Sequence, residues 1–213
     1  LIAIAHPTFR DGLLEAAKEM RYVFEDQVPF LSRGTYFPTE YEAQQDFEGP
    51  EGPITVHARL IRPDDADRIK DLFYDLSEES IFFRFLTPLR SLRRQTLQEF
   101  YYVDQESDIS IVGVLKDSED CEKIIAAGRY LLNRSTNQAE FALLVHDQYQ
   151  NKGIGTFILT QMMRIAKSKG VGAFIAYVHP KNIKMIDFIH RTGKLIESKL
   201  SIEDDQYTFL LNL

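Results

Sequence analysis

The chain has one cysteine, Cys121, in 213 residues. A lone thiol excludes an internal disulfide framework and agrees with a reducing cytoplasm. No apolar run approaches the ~20 residues of a membrane span, so no membrane segment is expected. The opening LIAIAHP is too short, and lacks the basic flank, for a signal peptide. A basic excess is also missing. The net charge is −7, with 4 basic and 10 acidic side chains in residues 1–52 against 21 and 22 in the remainder. Without a basic face, general binding to nucleic acid or a membrane surface is not expected, whereas a cationic substrate stays open. His6, His57, His146, His179 and His190 show no H-x-x-x-H or CxxC spacing, so no metal site is expected.

Apolar residues make up 44% of the chain, enough for a sizeable core. Residues 1–52 read as a separate segment. FRDGLLEAAKEM (9–20) places Leu13, Ala16, Ala17 and Met20 on one helical stripe, and the stretch after it is broken by Pro29, Gly34, Pro38 and Gly49. Glu48-Gly49-Pro50-Glu51-Gly52-Pro53 reads as a linker, which puts the domain boundary at 52/53. Leu1 in place of Met points to a fragment of something longer.

From residue 53 onward the pattern alternates. Strands are expected over 54–61, 109–115, 123–132, 138–145, 173–178 and 206–211. Helices are expected over 64–76, 91–102, 156–169 and 182–192, the last two stopped by Gly170 and Gly193. Adjacent antiparallel strands followed by a strand–helix–strand unit imply an α/β fold with a mixed sheet.

The most informative stretch is Gln150-Asn151-Lys152-Gly153-Ile154-Gly155, between the strand QAEFALLV and the helix TFILTQMMRIAKSK. Glycines there let backbone amides approach an anion, and the following helix adds its positive end. The turn lacks GxGxxG spacing and follows several strands, so a dinucleotide fold is not indicated. GxxxxGK[ST] is absent, so neither is a P-loop.

The Q-x-x-G-x-G string in this context resembles the pyrophosphate-binding signature of the GNAT superfamily of N-acetyltransferases. LSEESIFFRF (76–85), Ala139-Glu140-Phe141-Ala142 and Asn182-x-x-Met185 are similar to motifs of its bacterial protein-lysine acetyltransferase subgroup. The resemblance covers about residues 54–213. It implies an acyl-CoA N-acyltransferase fold, with a mostly antiparallel central sheet flanked by helices and an N-terminal helical or irregular appendage. It also implies acetyl transfer from acetyl-CoA to a primary amine, a protein lysine or a small molecule. Residues 1–22 resemble the C-terminal end of acetyl-CoA hydrolase/CoA-transferase proteins, which would make the chain the tail of such a protein plus its acetyltransferase domain. A non-catalytic acyl-CoA-binding regulatory domain of a fused CoA-transferase is the alternative reading.

The resemblance assigns coenzyme A to Leu143, Leu144 and Val145 on an opened strand, to Gln150, Asn151, Lys152, Gly153, Ile154, Gly155 and Thr156 at the turn, and to Asn182. Asn182 would equally serve as a helix N-cap. Glu140 is the expected general base. Set among apolar neighbours on an internal strand, it would be desolvated and its pKa raised. Its alternatives are to face solvent or to pair with Arg129 on the next strand. The superfamily often carries a tyrosine as general acid seven residues after the helix-opening asparagine. Here that residue is Ile189, so the acid is unassigned. Arg84, among three phenylalanines, must reach solvent or pair with an acid such as Asp104. Acceptor specificity is expected to lie around residues 77–105 and 198–206.

Overall fold

The computed structural model describes residues 2, 7–27, 38–86, 91, 107–116, 121–201 and 206–213. Helix α1 (Pro7–Glu19) forms over the expected helical segment, but it buries Leu14, while Leu13 and Met20 of the expected stripe, and Phe9, stay exposed. An eight-stranded sheet follows, in the order β1-β2-β3-β4-β5-β6-β8-β7. Its strands are β1 (Ala43–Glu48), β2 (Pro53–Leu60), β3 (Asp108–Lys116), β4 (Glu122–Asn133), β5 (Gln138–Val145), β6 (Ala173–Val178), β7 (Leu195–Ser201) and β8 (Gln206–Asn212). Every pairing is antiparallel except that of β5 with β6. The mixed, mostly antiparallel sheet is as expected.

Alternation along the strands gives the sheet two apolar faces. One is covered by α4 (Ile154–Ser168), which buries Ile154, Ile158, Met162 and Ile165 at helical spacing, and by α5 (Ile183–Arg191) through Ile189. The other packs on α2 (Ala66–Tyr74) and α3 (Glu78–Phe85), through Ile69, Leu72, Phe73 and Ile81 against Val112, Val114 and Ile124. Each fully buried aliphatic side chain contributes roughly 1.5–3 kcal/mol. Beneath α2, the Arg59 guanidinium forks onto Asp65 at 2.7 and 2.8 Å and reaches Glu122 at 2.6 Å. Asp65 also accepts the Arg62 amide at 2.8 Å. Burial alone would raise the Asp65 carboxyl, but the bonds from Arg59 and Arg62 hold it below the usual range.

Three elements depart from the sequence reading. The expected linker 48–53 is a hairpin turn, because β1 pairs residue by residue with β2, from Ala43↔Ala58 to Glu48↔Pro53. Residues 43–52 therefore belong to the sheet, and the boundary at 52/53 falls inside it. β1 escapes pattern reading because it is an edge strand with Gln44, Gln45 and Asp46 all exposed. β7 escapes it because a bulge between Leu195 and Glu197 breaks the period of two. α3, a short aromatic-rich segment, begins at an N-cap, Ser77, whose Oγ accepts the Ser80 amide at 3.3 Å. The helix expected over 91–102 lies outside the described residues, Ser91 excepted.

Gly128 on β4 marks the closest approach of sheet to α4. A Cβ there would overlap Met162 Sδ and lie 2.9 Å from Ile158 Cγ2. Gly128→Ala is expected to lower unfolding stability by about 1–3 kcal/mol through overpacking, measured by denaturant titration.

Candidate active site

The parallel pairing of β5 with β6 lasts for three residue pairs and ends at Glu140↔Ile175. Beyond it each strand keeps its outer neighbour. β5 stays on β4 as far as Ala126↔Val145, and β6 stays on β8 as far as Val178↔Tyr207. The strands part, and their facing edges flank a cleft of about 370 Å³. Phe141 to Val145 form one wall and Ala176 to Val178 the other. Glu79, Ser80, Phe83 and Arg84 come from α3, and Asn182, Lys184, Met185, Phe188, Arg191 and Thr192 from α5 and its ends. The size suits a ligand of cofactor dimensions.

The glycine turn closes the wide end. A 3₁₀ turn (Asp147–Tyr149) leads into Gln150, Asn151 adopts φ +59°, and Gly153 adopts φ +88° as the helix-opening residue. Left-handed φ at Gly153 avoids the penalty a side chain would bring. No side chain caps the start of α4, so its first amides and its positive end face the cleft. Gly155 opens it further: a Cβ there would touch Leu143, Val145 and Phe188 at 3.5–3.6 Å, so a longer side chain would fill the gap.

Of the residues assigned to coenzyme A, Leu143, Leu144, Val145, Gln150, Asn151, Gly153, Gly155, Thr156 and Asn182 all line this cleft. Two side chains do not. Ile154 is fully buried in the core, and Lys152 turns away, donating to the Gly49 carbonyl at 3.3 Å, so each offers only its amide. Gln150 is structural in its side chain: Nε2 donates to the Val145 carbonyl at 3.0 Å and to Ser80 Oγ and Asp147 Oδ1 at 3.3 Å. Asn182 caps α5, accepting the Met185 amide at 3.1 Å, and also faces the cleft.

The base candidate departs from expectation. Glu140 is exposed rather than buried among its apolar neighbours. Nor does it pair with Arg129, which forms a two-pronged ion pair with Asp108 through Nε and Nη2. Glu140 stands where the strands part, on the α3 face of the sheet, with Arg84 nearby. Burial lowers the Arg84 pKa to about 10, the Arg129 charge adds to that, and the Glu140 carboxylate opposes it. Asp104, the acid considered for Arg84, lies outside the described residues, as do Tyr101 and Tyr102. Phe85 packs edge-on against Phe73 in the core, while Phe83 walls the cleft. Ile189 is fully buried on the α4 face, and the cleft side of α5 is set by Met185, Phe188 and Thr192.

Sequence reading missed the hub of the site, Asp147. Its Oδ1 accepts from Ser80 Oγ at 2.6 Å and Ser77 Oγ at 3.0 Å, and Oδ2 accepts the Ser77 amide at 2.8 Å. The carboxylate thus ties the start of α3 to the glycine turn. Burial alone would raise its pKa, but the hydroxyl and amide bonds, with His146 beside it, hold it below the usual range. His146 is buried at 5% exposure, and its pKa is lowered by burial and by Lys123 against the pull of Asp75 and Asp147. Its neutral ring accepts the Gln148 amide on Nδ1 at 3.3 Å. The available signal was the Ser77-x-x-Ser80 spacing inside the motif, which reads as a cap and gives no hint of the acid 70 residues away.

The acetyltransferase (GNAT) family matches residues 71–193, from α2 to the end of α5. The chain belongs to this family. Its sequence is 28% identical over 138 residues to the acetyltransferase Pat of Mycolicibacterium smegmatis, covering 64% of this chain and 40% of that protein. A Pseudomonas aeruginosa acetyltransferase is 22% identical over 115 residues, covering 54% of this chain and 61% of that protein. The chain therefore spans less than two thirds of the length of these curated relatives. The crystal structure of the GNAT domain of S. lividans PAT superposes with a TM-score of 0.73 at 26% identity, covering 84% of this chain and all of that domain. The GNAT match begins at residue 71 and lends no support to the CoA-transferase resemblance of residues 1–22. Among the described residues no helix is long and apolar enough to cross a membrane, and no cluster of potential metal ligands occurs.

Acid should loosen the turn in two stages. His146 has a lowered folded pKa, so its contribution is complete above its ordinary value and is lost as pH falls below about 6.5. Asp147, also lowered, contributes above its ordinary value and is lost below about pH 4. In chemical denaturation across pH, His146→Asn should remove the first stage and Asp147→Asn the second.

Proposed function

We propose that this GNAT domain is an N-acetyltransferase that moves the acetyl group of acetyl-CoA to a primary amine, the side chain of a protein lysine. The observation carrying this reading is the parting of β5 from β6 after Glu140 and Ile175, opposite an uncapped helix start at a glycine turn. The turn amides from Asn151 to Thr156 would hold the pyrophosphate, and the pantetheine would run along Leu143, Leu144 and Val145 toward the narrow end. Unpaired strand amides there would polarise the thioester carbonyl, the largest electrostatic contribution in acyl transfer. Asn182, already committed to its cap, would add a contact to the arm.

The amine nitrogen attacks the carbonyl carbon, the C–S bond breaks, and the thiolate departs. A lysine amine is protonated near neutral pH and must first lose a proton. Glu140, at the apex of the cleft and open to solvent, would take it through water. The acceptor enters past Glu140, whose exposed carboxylate favours a cation. The single cysteine fits a cytoplasmic setting. Ile189, buried where a tyrosine acid is usual, favours a second reading: a non-catalytic acyl-CoA-binding regulatory domain, fused to a CoA-transferase.

Calorimetry with acetyl-CoA tests the shared part of both readings; no heat of binding at millimolar ligand removes both. Gly155→Val should weaken coenzyme A binding by at least about 10-fold by filling the gap between Leu143 and Phe188. Transfer to lysine peptides, followed by thiol release, separates the readings. Glu140→Gln should lower kcat by about 100-fold or more without changing coenzyme A affinity. Equal turnover in both proteins removes Glu140 as base, and no turnover in wild type favours the regulatory reading.

A further inference from the structure

We infer that the phenol of Tyr177 gives its proton to the departing thiolate, an assignment that rests on the acetyl-transfer reading above. Ile189 leaves α5 without an acid where one would be sought, since it is fully buried against the opposite face of the sheet. The described cleft-lining residues with exchangeable side-chain protons of suitable chemistry are few. Glu79 and Lys184 are spent on each other at 3.3 Å. Arg84 has its electrostatic partners, Arg129 and Glu140, on β4 and β5, so a proton lost there would leave beside the base. Arg191 is a guanidinium that keeps its proton. Tyr177 alone in this set is a neutral phenol, an O–H donor at neutral pH.

Its place follows from the register. Glu140 and Ile175 form the last β5–β6 pair, and side chains alternate along both strands. Tyr177 therefore shares the sheet face of Glu140, one strand across and two residues toward the mouth. Backbone pairing with Thr208 of β8 fixes that position, so β6 does not drift as the cleft fills. A donor anchored by its pyrophosphate at the glycine turn runs down the gap to the narrow end. There its carbonyl meets the amine on the Glu140 side, and its sulfur lies toward β6. Tyr177 is 43% exposed, so its oxygen can be reprotonated from water.

The step balances without a further reactant. The amine lone pair forms the N–C bond, the C–S pair leaves with sulfur, and sulfur takes the phenolic proton to give the neutral thiol. The ammonium proton first taken by Glu140 passes to solvent; after attack the nitrogen gives its second proton to Glu140, and that proton returns through water to the tyrosinate. Acetyl-CoA and amine become acetamide and coenzyme A.

The test uses this chain, acetyl-CoA and a pool of lysine peptides. Tyr177→Phe should bind coenzyme A as wild type does in calorimetry, yet lower kcat by about 100-fold, the scale of a lost general acid. Its kcat profile should lack the alkaline fall that a phenolic acid gives wild type. Placing 3,5-difluorotyrosine, a stronger acid, at position 177 should retain turnover and move that fall to lower pH, which a purely structural tyrosine would not do. Wild-type turnover with an unchanged rate and alkaline fall in Tyr177→Phe, or an unmoved fall with the fluorinated residue, overturns the assignment and leaves acetyl transfer standing. Absence of turnover in wild type overturns both.

Discussion

Two strands that stay paired on their outer sides but part from each other after three residue pairs govern the rest of this structure. β5 is bonded to β4 along its whole length and β6 to β8, so the gap between them is rigid and not a frayed edge. Buried backbone groups need partners, and an internal gap of this kind carries amides that only water or a ligand can satisfy. The cleft, its length and its polarity all follow. A ligand that is extended, and carries amides and a carbonyl of its own, can replace the missing strand.

The second constraint is a charge. Asp147 gathers two hydroxyls and an amide from the start of α3 and the Gln150 side chain from the turn, so the glycine turn and α3 are held as one unit. Such hydrogen bonds to a carboxylate are stronger than neutral ones, which is why a single residue suffices. On the remote side, Arg59, Asp65 and Glu122 fix α2 to the sheet in the same way. These charges bond one another through Arg59 Nη1 and Nη2; truncating one partner would strand the others. Both devices set helices in place on the α2/α3 face, where Glu140 and Tyr177 also stand.

Local chemistry was legible wherever period and caps agree. The helix after the glycine turn, the breakers Gly170 and Gly193, and the strand over 109–115 appear about where the sequence places them, the helix starting two residues earlier at Ile154. What failed to show was whatever depends on a neighbour. β1 has almost no apolar signal because only its hydrogen bonds to β2 make it a strand, and β7 hides behind its bulge. Glu140 was read as buried because its sequence neighbours are apolar. Alternation puts Ala139 and Phe141 in the core and leaves Glu140 on the other face, at the point where cover by β6 ends.

The sequence by itself pointed to an anion at the glycine turn and to the order of the central elements. A glycine turn between a strand and a helix has its conformation dictated within a few residues, and that local geometry is what an anion meets. Tertiary structure decided which side chains line the cleft. It sent Lys152 to Gly49, kept Gln150 for the turn, buried Ile189 and brought Tyr177 to the cleft. These outcomes turn on strand register and on which face each helix covers, quantities set by packing between segments far apart in the chain and so written in no single stretch of it.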